Sequence, residues 1–391
     1  MLKLRVQKLA WNLIDFLASN PRYREKLSFD DDDIVVIYDV ESDRVRNIVN
    51  ALDRYGVNLV LIKVGNRETG EVSEERRGIW KCIITYPNIR SLLNRMPKEC
   101  KNVNFIIFIQ WNYEFAAHFL CAVSARIYID SYDYLTGNVT KGFAKKNLKL
   151  LNYEKFVLES ATGVICRDLR TNSAKRHGFK IKKRILFMDY FDQDVEPMIR
   201  KKLEKSLAYV GNLEADRTSP VAFQYEIWKR SRDKEITFTI FPKYKHLANT
   251  LRMEFSCITK TSDSVCINDI VQMPKSFKCL RESLKDFSFG LLISTINVGY
   301  ESHDTYGEDM GKLFFSKKIF DYISVGMYPI VQNGAFVRFV LRRLGVGAVV
   351  TSMDEIPEVI ISESGKIFEI SIPRSFYIDS NITRLINFLK N

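Results

Sequence analysis

A chain of 391 residues and 45.5 kDa exceeds what one hydrophobic core usually holds, so two domains of roughly 150 to 200 residues are expected. A hydrophobic content of 46%, with 27% charged residues and no biased or repeated tract, excludes a disordered chain and a solenoid. The formal net charge of +12 points to a polyanionic neighbour, but Lys and Arg run along the whole chain, which argues against a nucleic-acid binder.

At the start, Leu2, Val6, Leu9, Leu13 and Leu17 fall at helical spacing among Lys3, Arg5 and Lys8, predicting an amphipathic helix. Two readings stand for it: a stripe packed on the domain behind, or a basic helix lying on an anionic membrane surface. The chain has no apolar run of about 18 residues and no small-residue cleavage site, so neither a membrane span nor a secretory signal is expected. The expected location is cytoplasmic, with a peripheral contact, if made, on the inner face of the membrane.

After FDDDD comes an apolar strand over 34–38, the loop DVESD, and a helix with Val45, Ile48, Val49 and Leu52 on one face. Gly56 stops that helix and 57–64 is the next strand, which together make a β-α-β unit. The connecting loop has no glycine and carries Asp39, Glu41 and Asp43, whose charges would repel a dinucleotide pyrophosphate. A hydride-transfer enzyme is therefore not expected.

The alternation continues with a strand over 103–109, the turn QWNYEF, a helix to about 124, a strand over 126–129 and the loop DSYDYLTG. A helix over 153–160, a strand over 163–166, a helix over 169–177 and a strand over 184–188 follow. Residues 192–205 are polar, hold Pro197 and read as a linker between a first domain over 1–195 and a second over 205–391. The second domain shows strands over 207–210, 236–241, 265–267, 289–294, 329–331 and 348–351, with helices over 277–285, around Asp321, over 336–344 and over 382–390. The fold class is α/β, two Rossmann-like domains in series.

The seven cysteines are odd in number, lack C-x-x-C and mostly sit in apolar runs, so they read as reduced, buried thiols. The four histidines are scattered, His118 in a helix and His177 beside Gly178, and no metal site is expected.

In the segment KIFDYISVGMYPIV, Ser316 is placed to cap a helix over 317–325 that ends at Gly326. Lys318, Asp321 and Tyr322 then stand at i, i+3 and i+4 on one face. The helix start offers unpaired N–H groups, Lys317 or Lys318 adds a full charge, and Asp321 offers an acceptor pair one turn on. A nucleoside diphosphate needs those groups in that order; an ordinary α/β helix with a solvated Lys would look the same.

This segment, with YVGNL at 209–213 and FGLLIS at 289–294, resembles the C-terminal domain of GT-B glycosyltransferases close to family 4. That group has a G-x-L turn after the first strand, here Gly211 and Leu213. It also has a K-x-x-[ED]-Y helix leading through a glycine to a P-[IV]-[IV] strand, here Lys318, Asp321, Tyr322, Gly326, Pro329, Ile330 and Val331. ESATGVICRDLRTNSAKRHGF looks like that family's last N-domain strand and helix. The resemblance implies two domains facing across a cleft. The first would bind the acceptor, a glycan or lipid-linked glycan as in polysaccharide biosynthesis. The second would bind a nucleotide-sugar such as a UDP- or GDP-sugar, with no other cofactor and no metal.

Asp321 would then hold the ribose hydroxyls, while Lys317, Lys318, Tyr322, Gly211 and Arg217 complete the donor site. The first glutamate of the family's E-x7-E pair would fall at Leu313 and is absent; Glu308 and Asp309 stand nearby in YGEDMG. In the first domain, Asp130, Tyr132 and Asp133 occupy the place of the strand-end residue next to the reacting carbon. An inverting transfer needs such a group to take the acceptor's proton, whereas the expected retaining transfer can leave it to the donor phosphate. An inactive GT-B-like partner of a transferase is the alternative, with the missing glutamate as its support. A sugar-nucleotide epimerase would want more catalytic carboxylates and histidines.

Overall fold

In the computed structural model, the run IVVIY at Ile34–Tyr38 forms strand β1 with every residue buried, as a β-branched run covered on both faces should. The structure describes residues 27–39, 42–64, 73–75, 82–86, 89–109, 112–131, 134–135, 147–169, 171–211, 221–242, 248–249, 252, 270–272, 277–293, 315–332 and 334–391. The expected N-terminal helix and the expected strand over 265–267 lie outside them. The chain forms two compact units: Met1–Arg167, Thr171–Met188 and Asn381–Asn391 in the first, Asp168–Arg170 and Asp189–Ser380 in the second.

In the first unit Ser42 caps helix α1 (Asp43–Arg54) by accepting the Val45 N–H, Asp43 sits in the first turn and Arg54 in the last. The helix buries Val45, Ile48, Val49 and Leu52, and Gly56 leaves it with φ of 76°. Strands β2 (Leu59–Val64), β3 (Ser73–Glu75) and β4 (Cys82–Tyr86), helix α2 (Ile89–Arg95), strand β5 (Glu99–Ile109), helix α3 (Tyr113–Ala122) and strand β6 (Ser124–Ser131) follow. Helix α4 (Leu148–Ser160), strand β7 (Gly163–Cys166), helix α5 (Thr171–Arg176) and strand β8 (Arg184–Leu186) complete the alternation. The sheet order is β3-β4-β2-β1-β5-β6-β7-β8, parallel except at β3. Strands β3 and β4 and helix α2 were not expected from the sequence.

The second unit begins earlier than the expected boundary at 205. Residues read as a linker form β9 (Met198–Lys202), which pairs antiparallel with a late strand. The core of the unit is β10 (Ser206–Val210), α6 (Val221–Arg232), β11 (Thr237–Phe241), α7 (Phe277–Leu284), β12 (Phe289–Leu292), α8 (Lys318–Ser324), β13 (Tyr328–Gln332), α9 (Ala335–Leu344) and β14 (Ala348–Val350). Helix α10 (Glu355–Glu363) and β15 (Ile367–Ser371), the partner of β9, lead to the last helix, α11 (Asp379–Lys390). The five-stranded sheet is wholly parallel in the order β11-β10-β12-β13-β14.

The end of α11 belongs to the first unit although its sequence position follows the second domain. Tyr128 Oη donates to Leu389 O at 2.7 Å, and Lys183 Nζ donates to Phe388 O at 2.6 Å. Gly163 admits the Phe388 ring, since a Cβ there would stand 2.7 Å from Phe388 Cζ.

Candidate functional site

Each parallel sheet reverses its strand order once. In the second unit β10 has β11 on one side and β12 on the other, so the crevice at their carboxyl ends is a topological switch point, where ligands of open α/β sheets bind. Val210 and Gly211 lie at that end of β10, and Leu291 and Leu292 at that end of β12.

The helix that reaches this crevice is α8. It starts one residue later than expected, with Lys317 at the cap position, and Ser316 Oγ accepts the Lys318 N–H at 3.4 Å. Ile319, Phe320, Tyr322 and Ile323 are buried and anchor it. Phe320 packs with Phe191 and Phe315 at ring separations of 4.4 and 5.1 Å. With those residues inside, Lys317 and Asp321 are left partly exposed, their Nζ and Oδ1 3.6 Å apart.

Lys318 is drawn to the end of β10. A Cβ on Gly211 would stand 2.6 Å from Lys318 Nζ and 3.0 Å from Tyr209 Oη, so the glycine is a close-approach position. The ammonium also lies 5.6 Å from the Tyr209 ring centre, a cation–π distance. The structure therefore brings Lys318 to Gly211 beside Tyr209, and pairs Lys317 with Asp321 on the same helix.

Tyr322 has a different place from the one expected. Its hydroxyl accepts the Val210 N–H at 3.2 Å and donates to Leu291 O at 3.0 Å, with the ring wholly buried. The β10–β12 pairing ends at Tyr209↔Leu291, so this hydroxyl bridges the two strands where their ladder stops. Burial pushes the phenol far above its usual range, against the Val210 N–H that favours the phenolate. Gly290 makes the room: a Cβ there would run into the Tyr322 ring. A mid-strand glycine in FGLL is a signal of such close approach, and sequence reading passed over it.

In the first unit, Asp130 is fully buried near the end of β6 and is engaged by Arg44 of α1. Arg44 Nε donates to Oδ1 at 2.9 Å and Nη2 to Oδ2 at 2.7 Å, while Nη2 also donates to Phe187 O at 2.8 Å. Next to it, Ser131 Oγ and Tyr113 Oη are 2.6 Å apart. The carboxylate is thus a buried bidentate ion-pair partner of Arg44. Nothing in the sequence around Arg44 signals this buried role. Tyr132, Asp133, Arg217 and Glu308 lie outside the described residues.

Cys100 and Cys166 are buried thiols outside any disulfide, whereas Cys121, also expected to be buried, is exposed. No helix among the described residues is long and apolar enough to cross a membrane.

No protein-family model matches the chain, and no curated protein matches it in sequence. Solved structures do match. A trehalose-6-phosphate synthase, studied for glycosyl transfer with retention, is 7% identical at a TM-score of 0.56, covering 91% of this chain and 94% of its own. The sucrose-phosphate synthase of Thermosynechococcus elongatus is 10% identical at 0.56, covering 92% and 95%. An α,α-trehalose-phosphate synthase (UDP-forming) of Burkholderia vietnamiensis is 9% identical at 0.55, covering 92% and 93%. The shared feature is the fold, that of the GT-B glycosyltransferases.

Proposed function

We propose that the chain is a glycosyltransferase of the GT-B class whose second unit binds a nucleotide-sugar and whose acceptor is a glycan or lipid-linked glycan. The observation that carries this is the meeting of Lys318 with Gly211 at the β10/β12 switch point, with Asp321 one helical turn on. The Lys317 and Lys318 ammonium groups supply the positive charge that a diphosphate leaving group needs, which supports a metal-independent transfer. Asp321 is the acceptor pair for the ribose hydroxyls. Tyr322 acts through the backbone, by holding the ends of β10 and β12.

Retention is the favoured outcome, because Asp130 is neutralised by Arg44 and buried, and a retaining transfer leaves the acceptor's proton to the donor phosphate. Kinship close to family 4 rests on the K-x-x-[ED]-Y helix and the P-[IV]-[IV] strand.

Thermal shift with UDP, GDP and CMP tests donor binding. A nucleotide at a hundred times its dissociation constant stabilises by about 2.7 kcal/mol, and Asp321→Ala should abolish the shift while leaving the unliganded melting point in place. If none of the three moves the melting point, the transferase reading fails. With binding established, release of free sugar from the matching donor separates a working transferase from an inactive relative.

A further inference from the structure

Lys and Arg run along the whole chain, but one stretch departs from that spread: between Asp168 and Asp189 there is no carboxylate, while Arg170, Lys175, Arg176, Lys180, Lys182, Lys183 and Arg184 are cationic. Seven positive charges in one short segment are more than half of the chain's net +12. The fold lays residues 171–186 of this segment along one edge of the first unit's sheet. Helix α5 ends at Arg176, Gly178 turns the chain with φ of 79°, and β8 is the last strand of the sheet.

Phe179 and Ile181 point inward and are buried, whereas Lys180 and Lys182, which alternate with them, are exposed, as is Lys175. Two other cations serve the fold. Lys183 holds the Phe388 carbonyl and stands 4.4 Å from its ring, and Arg184 Nη1 donates to Asn172 Oδ1 at 2.7 Å. Lys155 of α4 lies alongside, its ammonium 5.9 Å from the Phe179 ring. Glu159, the neighbouring carboxylate, accepts the backbone N–H of Lys180 at 3.0 Å.

We propose that Lys175, Lys180 and Lys182 form a docking surface for an anionic lipid bilayer. Their ammonium groups are point charges on flexible stems, suited to the smeared charge of a headgroup plane; the one guanidinium described here, the fork suited to a discrete phosphate, is turned onto Asn172. No Phe, Tyr or Trp is exposed over 171–186, so the platform on which single-stranded nucleic acid stacks is missing. This surface is separate from the donor site, and its test does not depend on that assignment.

The test is sedimentation of the full chain with vesicles of phosphatidylcholine alone, or with about a third phosphatidylglycerol, at low and at 1 M salt. Each lysine near an anionic surface is worth about fivefold in partition, so Lys175→Ala/Lys180→Ala/Lys182→Ala should bind the anionic vesicles roughly a hundredfold more weakly. A second triple, Lys202→Ala/Lys229→Ala/Lys234→Ala, removes the same charge from exposed positions of the second unit and should bind nearly as the parent does. Binding should vanish at 1 M salt, where the screening length is about 3 Å, and melting curves confirm that both triples fold. Equal weakening by the two triples, or none by the first, overturns the proposal. So does a parent chain that ignores anionic vesicles, whether or not it binds an oligonucleotide through these lysines.

Discussion

Replacing Gly290 by alanine is the sharpest way to ask whether Tyr322 organises the donor crevice. The new Cβ would run into Cγ and Cδ2 of Tyr322 and stand 2.8 Å from Cδ1, inside the 3.0 Å that real Cβ contacts respect. Gly290 is not at positive φ, so alanine by itself would be favourable by about 0.4–1 kcal/mol through the unfolded chain. Against that gain, the ring cannot slide away, because its hydroxyl is tied to Val210 N and Leu291 O. Overpacking costs about 1–3 kcal/mol, and freeing two buried backbone groups adds about 1–3 kcal/mol. The expected net loss is about 1–5 kcal/mol, read from urea unfolding at constant slope. In a Tyr322→Leu background the same glycine change should cost far less, which a double-mutant cycle measures. Gly211→Ala is the contrast: it meets only the tips of Lys318 and Tyr209, so stability should move by less than about 1 kcal/mol while nucleotide affinity falls. A Gly290→Ala protein within 1 kcal/mol of the parent, or additive with Tyr322→Leu, would refute the wedge.

The buried pair in the first unit gives a second expectation. Arg44→Met leaves Asp130 charged and unpaired, which should destabilise by about 3–5 kcal/mol, whereas adding Asp130→Leu should restore most of the loss. If Asp130 were instead the proton acceptor of the reaction, Asp130→Asn would abolish transfer and leave unfolding unchanged. His118 gives a pH expectation. Burial first, and Lys149 as a smaller effect, hold its pKa below 6.5 despite the attraction of Glu114. Between that lowered value and 6.5 the unfolded chain binds more protons, so stability falls as pH drops through this window and is level above it. His118→Gln should flatten the fall in unfolding free energy between pH 7 and pH 5; an unchanged profile would assign the fall to other groups.

Local order was readable where local chemistry sets it. The buried run at β1, the Gly56 stop of α1, and the i, i+3, i+4 spacing of Lys318, Asp321 and Tyr322 each follow from backbone periodicity and from groups a few residues apart. The same reading failed at β9. Its polar MIRKK alternates between half-buried and exposed residues, and only the return of β15 turns that weak pattern into a strand.

The sequence by itself determined two α/β units and the helix that carries the candidate donor residues, because side-chain periodicity says which face of an element is buried. Periodicity does not say which element covers that face. That Lys318 meets Gly211, that Tyr322 turns inward between Val210 and Leu291, that Arg44 closes on Asp130, and that α11 returns to the first unit were decided by the tertiary structure alone. Each is a pairing between distant segments, and a buried charge or hydroxyl is tolerated only where such a partner satisfies it.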